Sequence, residues 1–308
     1  MVVLGGAPVP EPTSVLVDGP WGHRDVFANG TRLHIAEAGE GPLVLLLHGF
    51  PQFWWTWRHQ IPALAAAGYR VAAPDLRGYG ASDKPPRGYD AFTLSQDVAG
   101  LVKALGERDA VIVGHDWGGL LAWTTATLHP EVVRRGVVIS MPHPLRIRHA
   151  MAADPRGQGV ASRQLFSYQV PWRPERRLVA DDAAYVGELL TAWGGPGYPD
   201  PEAARRYRSA VQIPGVAHSS MEYHRWVFRS LFRPDGQRYA KQLRRGVRAP
   251  LLQLHGAVDR TLLSSTALGS GRYVRGGYAW RLIDGAGHFP HEERPDEVTS
   301  RILAFLAG

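Results

Sequence analysis

Val111-Ile112-Val113-Gly114-His115-Asp116-Trp117-Gly118-Gly119-Leu120-Leu121 is the stretch that decides how this chain is read. Three β-branched apolar residues lead into Gly-x-Asp-x-Gly, and a helix-compatible run follows. The pattern predicts a strand, a sharp turn and a helix. Gly114 and Gly118 fit a turn so tight that a Cβ at either place would clash. Asp116 then stands exposed at the carboxyl end of a strand, above the free N–H groups of the next helix. Taken alone, the pentapeptide fits a Gly-rich turn with a capping Asp equally well.

Length and composition narrow the choice. A chain of 308 residues, 44% of them hydrophobic, suits one large α/β domain with an insertion. The absence of cysteine leaves no disulfide framework and no Cys metal site. The apolar run at residues 43–47 is too short to span a membrane. Residues 1–11 lack a basic segment followed by an apolar one, so no signal peptide is expected, and the cytoplasm is the expected location. The net charge of +7 is nearly all Arg, since the only lysines are Lys84, Lys103 and Lys241. The basic clusters at 176–177, 205–208 and 244–245 read as solvated helix faces. No contiguous basic stripe suggests nucleic acid as a partner.

The rest of the chain supplies the order of elements. Residues 1–14 are Pro- and Gly-rich and expected to be poorly ordered. Asn29-Gly30, between strands at 24–28 and 31–38, is a type I′ hairpin signal. A buried strand at 43–47 ends in His48-Gly49-Phe50-Pro51. A Trp-rich helix at 53–67, a strand at 70–73 and a helix at 93–105 follow. After the Asp116 turn come a helix to His129 and a strand at 137–140. From Pro142 to Pro250 strand-like runs largely vanish. Helical segments at 162–169, 183–193, 201–212 and 217–232 predict an all-helical insertion. The division is 1–142 core, 143–246 helical insertion and 247–308 core. Strands at 251–255 and 279–283 then lead to a closing helix at 295–306. Such alternation implies a mostly parallel sheet covered by helices on both faces, with ligands at the carboxyl ends of its strands.

Four of those strand ends carry reactive residues: Asp116, the His48–Pro51 turn, Asp259 and His288. Separately, each is most simply a turn former or a surface residue. One fold that needs all four makes coincidence a poor explanation. Asp284, close before His288, reads as a turn cap, so Asp259 is the better acid.

The sequence resembles the epoxide hydrolases of the α/β-hydrolase superfamily from about Val26 onward. The resemblance is densest in His48-Gly49-Phe50-Pro51-Gln52-Phe53-Trp54-Trp55-Thr56-Trp57-Arg58, in 75–85, in Gly114–Gly119 and in Gly287-His288-Phe289-Pro290. It implies an α/β-hydrolase fold in which the helical insertion is a cap. It also implies a small apolar epoxide as substrate, and no cofactor or metal. Asp116, ionised at neutral pH, would attack an epoxide carbon to form an ester. Neutral His288 would activate water against that ester, and Asp259 would orient the imidazole and raise its pKa. The N–H groups of Phe50 and Trp117 would form the oxyanion hole. Trp117 could also line an apolar pocket, whereas Trp54 and Trp55 read first as core.

Ring opening also needs a donor to the ring oxygen, which the family usually supplies from two cap tyrosines. Here the matching places hold Gln164 and His224, with Tyr168 and Tyr223 close by. These four are the candidate donors or cap contacts. A haloalkane or haloacid dehalogenase with the same nucleophile is the nearest rival, since Trp117 would suit a halide. A non-catalytic receptor or scaffold on this fold is the third reading. The sequence leaves the oligomeric state open.

Overall fold

The computed structural model describes residues 9–308. Eight strands form one sheet: β1 (Gly22–Ala28), β2 (Thr31–Ala38), β3 (Leu43–Leu47), β4 (Arg70–Pro74), β5 (Ala110–His115), β6 (Val133–Ile139), β7 (Leu251–Gly256) and β8 (Tyr278–Ile283). Their order is β1-β2-β4-β3-β5-β6-β7-β8. β1–β2 and β2–β4 run antiparallel, and every other pair is parallel. The chain leaves β3 towards β4 and returns to β5 on the other side. The carboxyl ends of β3 and β5 are therefore the topological switch point, where open α/β sheets bind ligands.

Burial follows from this topology. Every residue of β3, β5 and β7 is buried, because helices cover both faces of the parallel strands. These helices include α1 (Gln60–Ala66), α2 (Ala91–Ala104), α3 (Trp117–Leu128) and the closing helix Pro295–Ala307. Asp90 caps α2 through both the Phe92 and Thr93 N–H groups. The hairpin stands where expected, with φ of 49° at Asn29 and 71° at Gly30.

Between β6 and β7 the described chain holds only helices: α4 (Pro144–Ala153), α5 (Gln158–Ala161), α6 (Gln164–Ser167), α7 (Arg173–Trp193, interrupted at Ala180–Ala183), α8 (Pro201–Gln212), α9 (Val216–Ser230) and α10 (Pro234–Leu243).

Several expectations need correction. The single helix expected over 53–67 is a 3-10 turn at Trp54–Trp57 followed by α1. Pro62 has no N–H, so an unbroken helix from 53 would lose a bond there, whereas a fresh start at Gln60 puts the proline in the first turn. The segment expected at 162–169 is shorter, with Tyr168 closing α6. α4 and α10 were not foreseen; both open on Pro, which reads as a breaker in sequence but is at home in a first helical turn. β6 begins earlier than expected, its charged Arg134 and Arg135 masking the strand. The disorder expected of residues 1–14 falls partly outside the described residues. Within them, Pro12–Val15 is a 3-10 turn whose Val15 is buried and accepts the Trp54 indole N–H.

The elbow depends on backbone contact at two glycines. A Cβ on Gly114 would collide with the Gly118 carbonyl, and one on Gly118 with the Leu47 carbonyl. Gly118→Ala should therefore cost about 1–3 kcal/mol of unfolding free energy in urea melts, the usual range for overpacking. Gly22→Ala, whose new Cβ would meet nothing within 4 Å, should stay within about 0.5 kcal/mol of the parent. Unchanged melting of Gly118→Ala would contradict this account of the elbow.

Candidate active site

Asp116 joins β5 to α3 with φ 48° and ψ −115°, a strained conformation for a residue with a Cβ. Packing holds it there. Its N–H donates to Ile139 O and its carbonyl accepts from Leu120 N–H, while Gly118 N–H donates to His48 O across the switch point. The side chain is aimed at the β3 turn, where Phe50 N–H donates to Asp116 Oδ2 at 3.1 Å. Gly49 makes room, since a Cβ there would lie 2.5 Å from Asp116 Cβ. Trp117 is the first residue of α3, so its N–H has no acceptor within the helix.

His288 follows β8 and is fully buried. Its Nδ1–H donates to Asp259 Oδ2 at 2.8 Å, and its Nε2 lies 3.4 Å from Asp116 Oδ1. Asp259 Oδ1 accepts from the Thr261 and Leu262 N–H groups at 2.9 and 3.0 Å. The three residues expected from strand ends thus form one line, carboxylate–imidazole–carboxylate. Asp284 is exposed and outside it.

The charges in this line sustain one another. Burial alone would lower the His288 pKa, but the charge of Asp259 and contact with Asp116 override it and push it up to about 10. Burial would likewise raise Asp116, yet His288 and the Phe50 N–H hold it below the usual carboxylate value. Asp259 is held well below that value, burial again being outweighed, chiefly by the charge of His288. Both carboxylates therefore favour the cationic form of His288 in the free protein, the direction expected of its pairing with Asp259. The sequence pointed to Asp259 as a partner; only the fold adds Asp116 on the other side of the ring.

A cavity opens above Asp116 and His288. Trp117, Met141, Trp193 and Leu262 give it apolar walls, while Gln164 and Thr261 add polar groups. Gln164 Nε2 donates to Thr261 Oγ1 at 3.2 Å. His224 also lines it. Its Nδ1–H donates to Ser220 O at 2.9 Å and its Nε2 accepts the Trp117 indole N–H at 3.3 Å. Burial pushes its pKa down to about 4. A neutral His224 with this tautomer has no proton left to give. Tyr223 is turned away, its hydroxyl donating to Arg77 O at 2.7 Å. Tyr168 is buried behind His224, their rings 4.9 Å apart, and does not line the cavity. Of the four candidate donors, only Gln164 presents a donor to the cavity. Trp54 and Trp55 are core, as expected.

Sequence reading missed three contributors. Trp193, at the end of α7, lines the cavity, and its carbonyl accepts the His288 N–H at 2.8 Å. Glu293 accepts from Gly287 N–H at 2.8 Å and Phe289 N–H at 2.9 Å, the peptide groups flanking His288, and from Gly195 N–H at 2.8 Å. His115 Nε2–H donates to His288 O at 2.7 Å. The acidic pair three residues beyond Phe289 was the available signal for Glu293. A carboxylate in a first helical turn, however, reads as a dipole partner.

Comparison with known proteins agrees with this geometry. The profile of the alpha/beta hydrolase fold matches residues 42–295. The AB hydrolase superfamily protein YfhM of Bacillus subtilis is 34% identical over 286 residues, covering 91% of this chain and 96% of its own. Epoxide hydrolase A of Mycobacterium tuberculosis is 33% identical, over 92% of this chain and 97% of its own. The crystal structure of epoxide hydrolase A from Mycobacterium thermoresistibile superposes with a TM-score of 0.80 at 30% identity, covering 94% of this chain and 98% of that one. The chain therefore belongs to the α/β-hydrolase fold family and, within it, to the epoxide hydrolases.

Proposed function

We propose that the protein hydrolyses epoxides to vicinal diols through a covalent ester on Asp116. The carrying observation is the pair of Asp116 oxygens. Oδ2 is anchored by the Phe50 N–H, and Oδ1 is left beside His288 at the floor of an apolar cavity. The carboxylate needs no base to attack a strained carbon. Helices 143–246 act as a cap that closes the cavity over it and excludes water. Gln164 and Thr261 are the polar groups that face the ring oxygen.

Proton balance follows from the charges. Ring opening makes an alkoxide, and the His288 imidazolium is the store from which its proton comes. Among the described residues no Lys or Arg lines the cavity, and burial favours the neutral form of His224 there. Esterification then removes the negative charge of Asp116, one of the causes of the raised His288 pKa. The imidazole, now neutral, takes a proton from water, which attacks the Asp116 carboxyl carbon. The Phe50 and Trp117 N–H groups hold the resulting oxyanion. On collapse the proton of the added hydroxyl passes to the leaving alkoxide, the diol departs, and Asp116 is again a carboxylate beside a cationic His288.

The dehalogenase reading loses support from the Trp117 indole, whose N–H already donates to His224 and is not open to a halide. A scaffold role has no need of the strained elbow and the buried charges. Assays of styrene oxide and haloalkanes on the wild type and Asp116→Ala separate the three readings. Diol from the wild type alone is the expected result.

Three outcomes test the mechanism. In His288→Gln, ester hydrolysis should slow by about 10²–10⁴-fold, the range a general base supplies. Intact-protein mass should then rise by one substrate mass and stay raised; protein that binds substrate yet keeps its mass would refute this division of labour.

The pH profile should have two limbs. The alkylation step, read from kcat/KM, should fall as pH rises through about 10 and the imidazolium is lost. Ester hydrolysis, followed in single turnovers, should fall instead as pH drops, because the base must be neutral, and its midpoint should lie below that of the first limb. Coincident midpoints would mean that Asp116 does not control His288.

With enzyme in excess, one turnover in heavy-oxygen water should give nearly unlabelled diol and place the label in the peptide containing Asp116. Labelled diol from the first turnover would mean direct attack of water on the epoxide.

A further inference from the structure

Among the described residues, Asp116 and His288 are the only charged groups on the wall of the site cavity. Ser162, Gln164 and Thr261 supply two hydroxyls and an amide, and burial favours the neutral form of His224. No phenol, ammonium or second carboxyl group joins them among those residues. Gln164 Nε2 donates to Thr261 Oγ1 at 3.2 Å. The amide nitrogen keeps a second N–H, and the threonine hydroxyl keeps its own proton. The two side chains therefore offer the cavity a pair of adjacent neutral donors.

Such donors hydrogen-bond an anion but do not surrender a proton near neutral pH. The acidic proton of the site is on His288, whose Nε2 lies 3.4 Å from Asp116 Oδ1 and so beside the nucleophile. In a displacement with aligned orbitals the leaving oxygen departs on the side away from the attacking one. An alkoxide must draw its proton past the substrate. A leaving group that is stable as an anion needs only the donor pair, and hydrogen bonds to an ionised acceptor are about twice as strong as neutral ones.

We propose that the same site also hydrolyses small alkyl-substituted β-lactones, strained cyclic esters whose leaving group is a carboxylate. The inference rests on the proposed function for the roles of Asp116 and His288, and adds a second class of substrate. Asp116 Oδ1 attacks the ring carbon that bears the alkyl group. The bond from that carbon to the ring oxygen breaks, the electron pair stays on the oxygen, and the oxygen becomes part of a carboxylate. Gln164 Nε2–H and the Thr261 hydroxyl donate to this carboxylate, and no proton is transferred. His288, with the charge of Asp116 gone, gives its proton to solvent and then activates water against the ester. The alkoxide released from the ester takes the proton of the added hydroxyl, and Asp116 and His288 are again charged. The sum is lactone and water to a hydroxy carboxylate and one proton.

The test uses one enantiomer of β-butyrolactone, with propylene oxide as the epoxide of the same substituent and spontaneous rates subtracted. Attack by Asp116 inverts the ring carbon, so the hydroxybutyrate should have the configuration opposite to that of the lactone. Attack at the acyl carbon would retain it. The kcat/KM for the lactone should exceed that for propylene oxide by about tenfold, because the step forgoes proton transfer. As pH rises through about 10, kcat/KM for propylene oxide should fall with the loss of the imidazolium, while that for the lactone stays level. Gln164→Leu/Thr261→Val should slow the lactone about tenfold or more, the worth of a hydrogen bond to a charged group. The configuration and the pH profile are read on the wild type and do not depend on that variant.

Retained configuration, or equal lactone turnover by Asp116→Ala, would overturn the inference. So would a lactone rate that falls with rising pH in step with the epoxide rate, or one that the folded double variant keeps in full. An inert lactone beside active turnover of propylene oxide would overturn it and leave the proposed function standing. Inverted product from the lactone, by a protein inert to epoxides, would sink the proposed function and leave this activity standing.

Discussion

Three ionisable groups lie in one buried row, and each favours the charged form of its neighbour. Taking a carboxylate out of water costs several kcal/mol unless opposite charge and N–H donors replace the solvent. Here Asp259 receives two backbone N–H groups and the imidazole Nδ1–H, and Asp116 receives the Phe50 N–H and faces the other nitrogen of the same ring. Each member is stable because its neighbour is charged. A reaction that neutralises one end therefore changes the proton affinity of the centre. In the proposed mechanism, the attack on substrate and the arming of the base become a single event.

Such a row requires atomic placement from four separate strand ends, and the sheet provides it. The switch point brings the β3 turn within hydrogen-bonding distance of the β5 turn. Backbone contact through Gly114 and Gly118 sets α3 directly against β3 and β5. The strained φ of Asp116 is carried by these contacts, which over-determine it. Behind the row, His115 donates to the His288 carbonyl and is itself kept neutral, its pKa pushed down to about 3 by burial and by the nearby cation.

Two neighbouring carboxylates tie the helices between β6 and β7 to the same loop. Glu293 gathers the peptide groups around His288 together with Gly195. Glu292, adjacent to it, accepts from Thr56 and Arg58 of the sheet-bearing part and from Tyr198 and Tyr207 of the helical part. The wall of the cavity and the imidazole at its floor are therefore held by one short turn, Pro290–Glu293. Movement of the helices relative to the sheet would be felt at His288 through that turn.

The sequence by itself determined the order of elements, the strand ends and the residues with chemistry at them. Those signals are local. Apolar runs bury strands, Gly-x-Asp-x-Gly demands a tight turn, and Asn29-Gly30 fixes a hairpin. It also suggested the partnership of Asp259 with His288, through the order in which the strands deliver them. Tertiary structure alone decided what each side chain touches. Tyr223 and His224 are adjacent on α9, yet one donates to Arg77 O and the other meets the Trp117 indole, a difference set by packing against a distant loop and the start of α3. Tyr168 is hidden and Gln164 exposed to the cavity, although they stand at the two ends of the same short helix. The charge state of His288 was out of reach for the same reason. It depends on two carboxylates, 172 and 29 positions away along the chain, whose distances from the ring only the folded sheet defines.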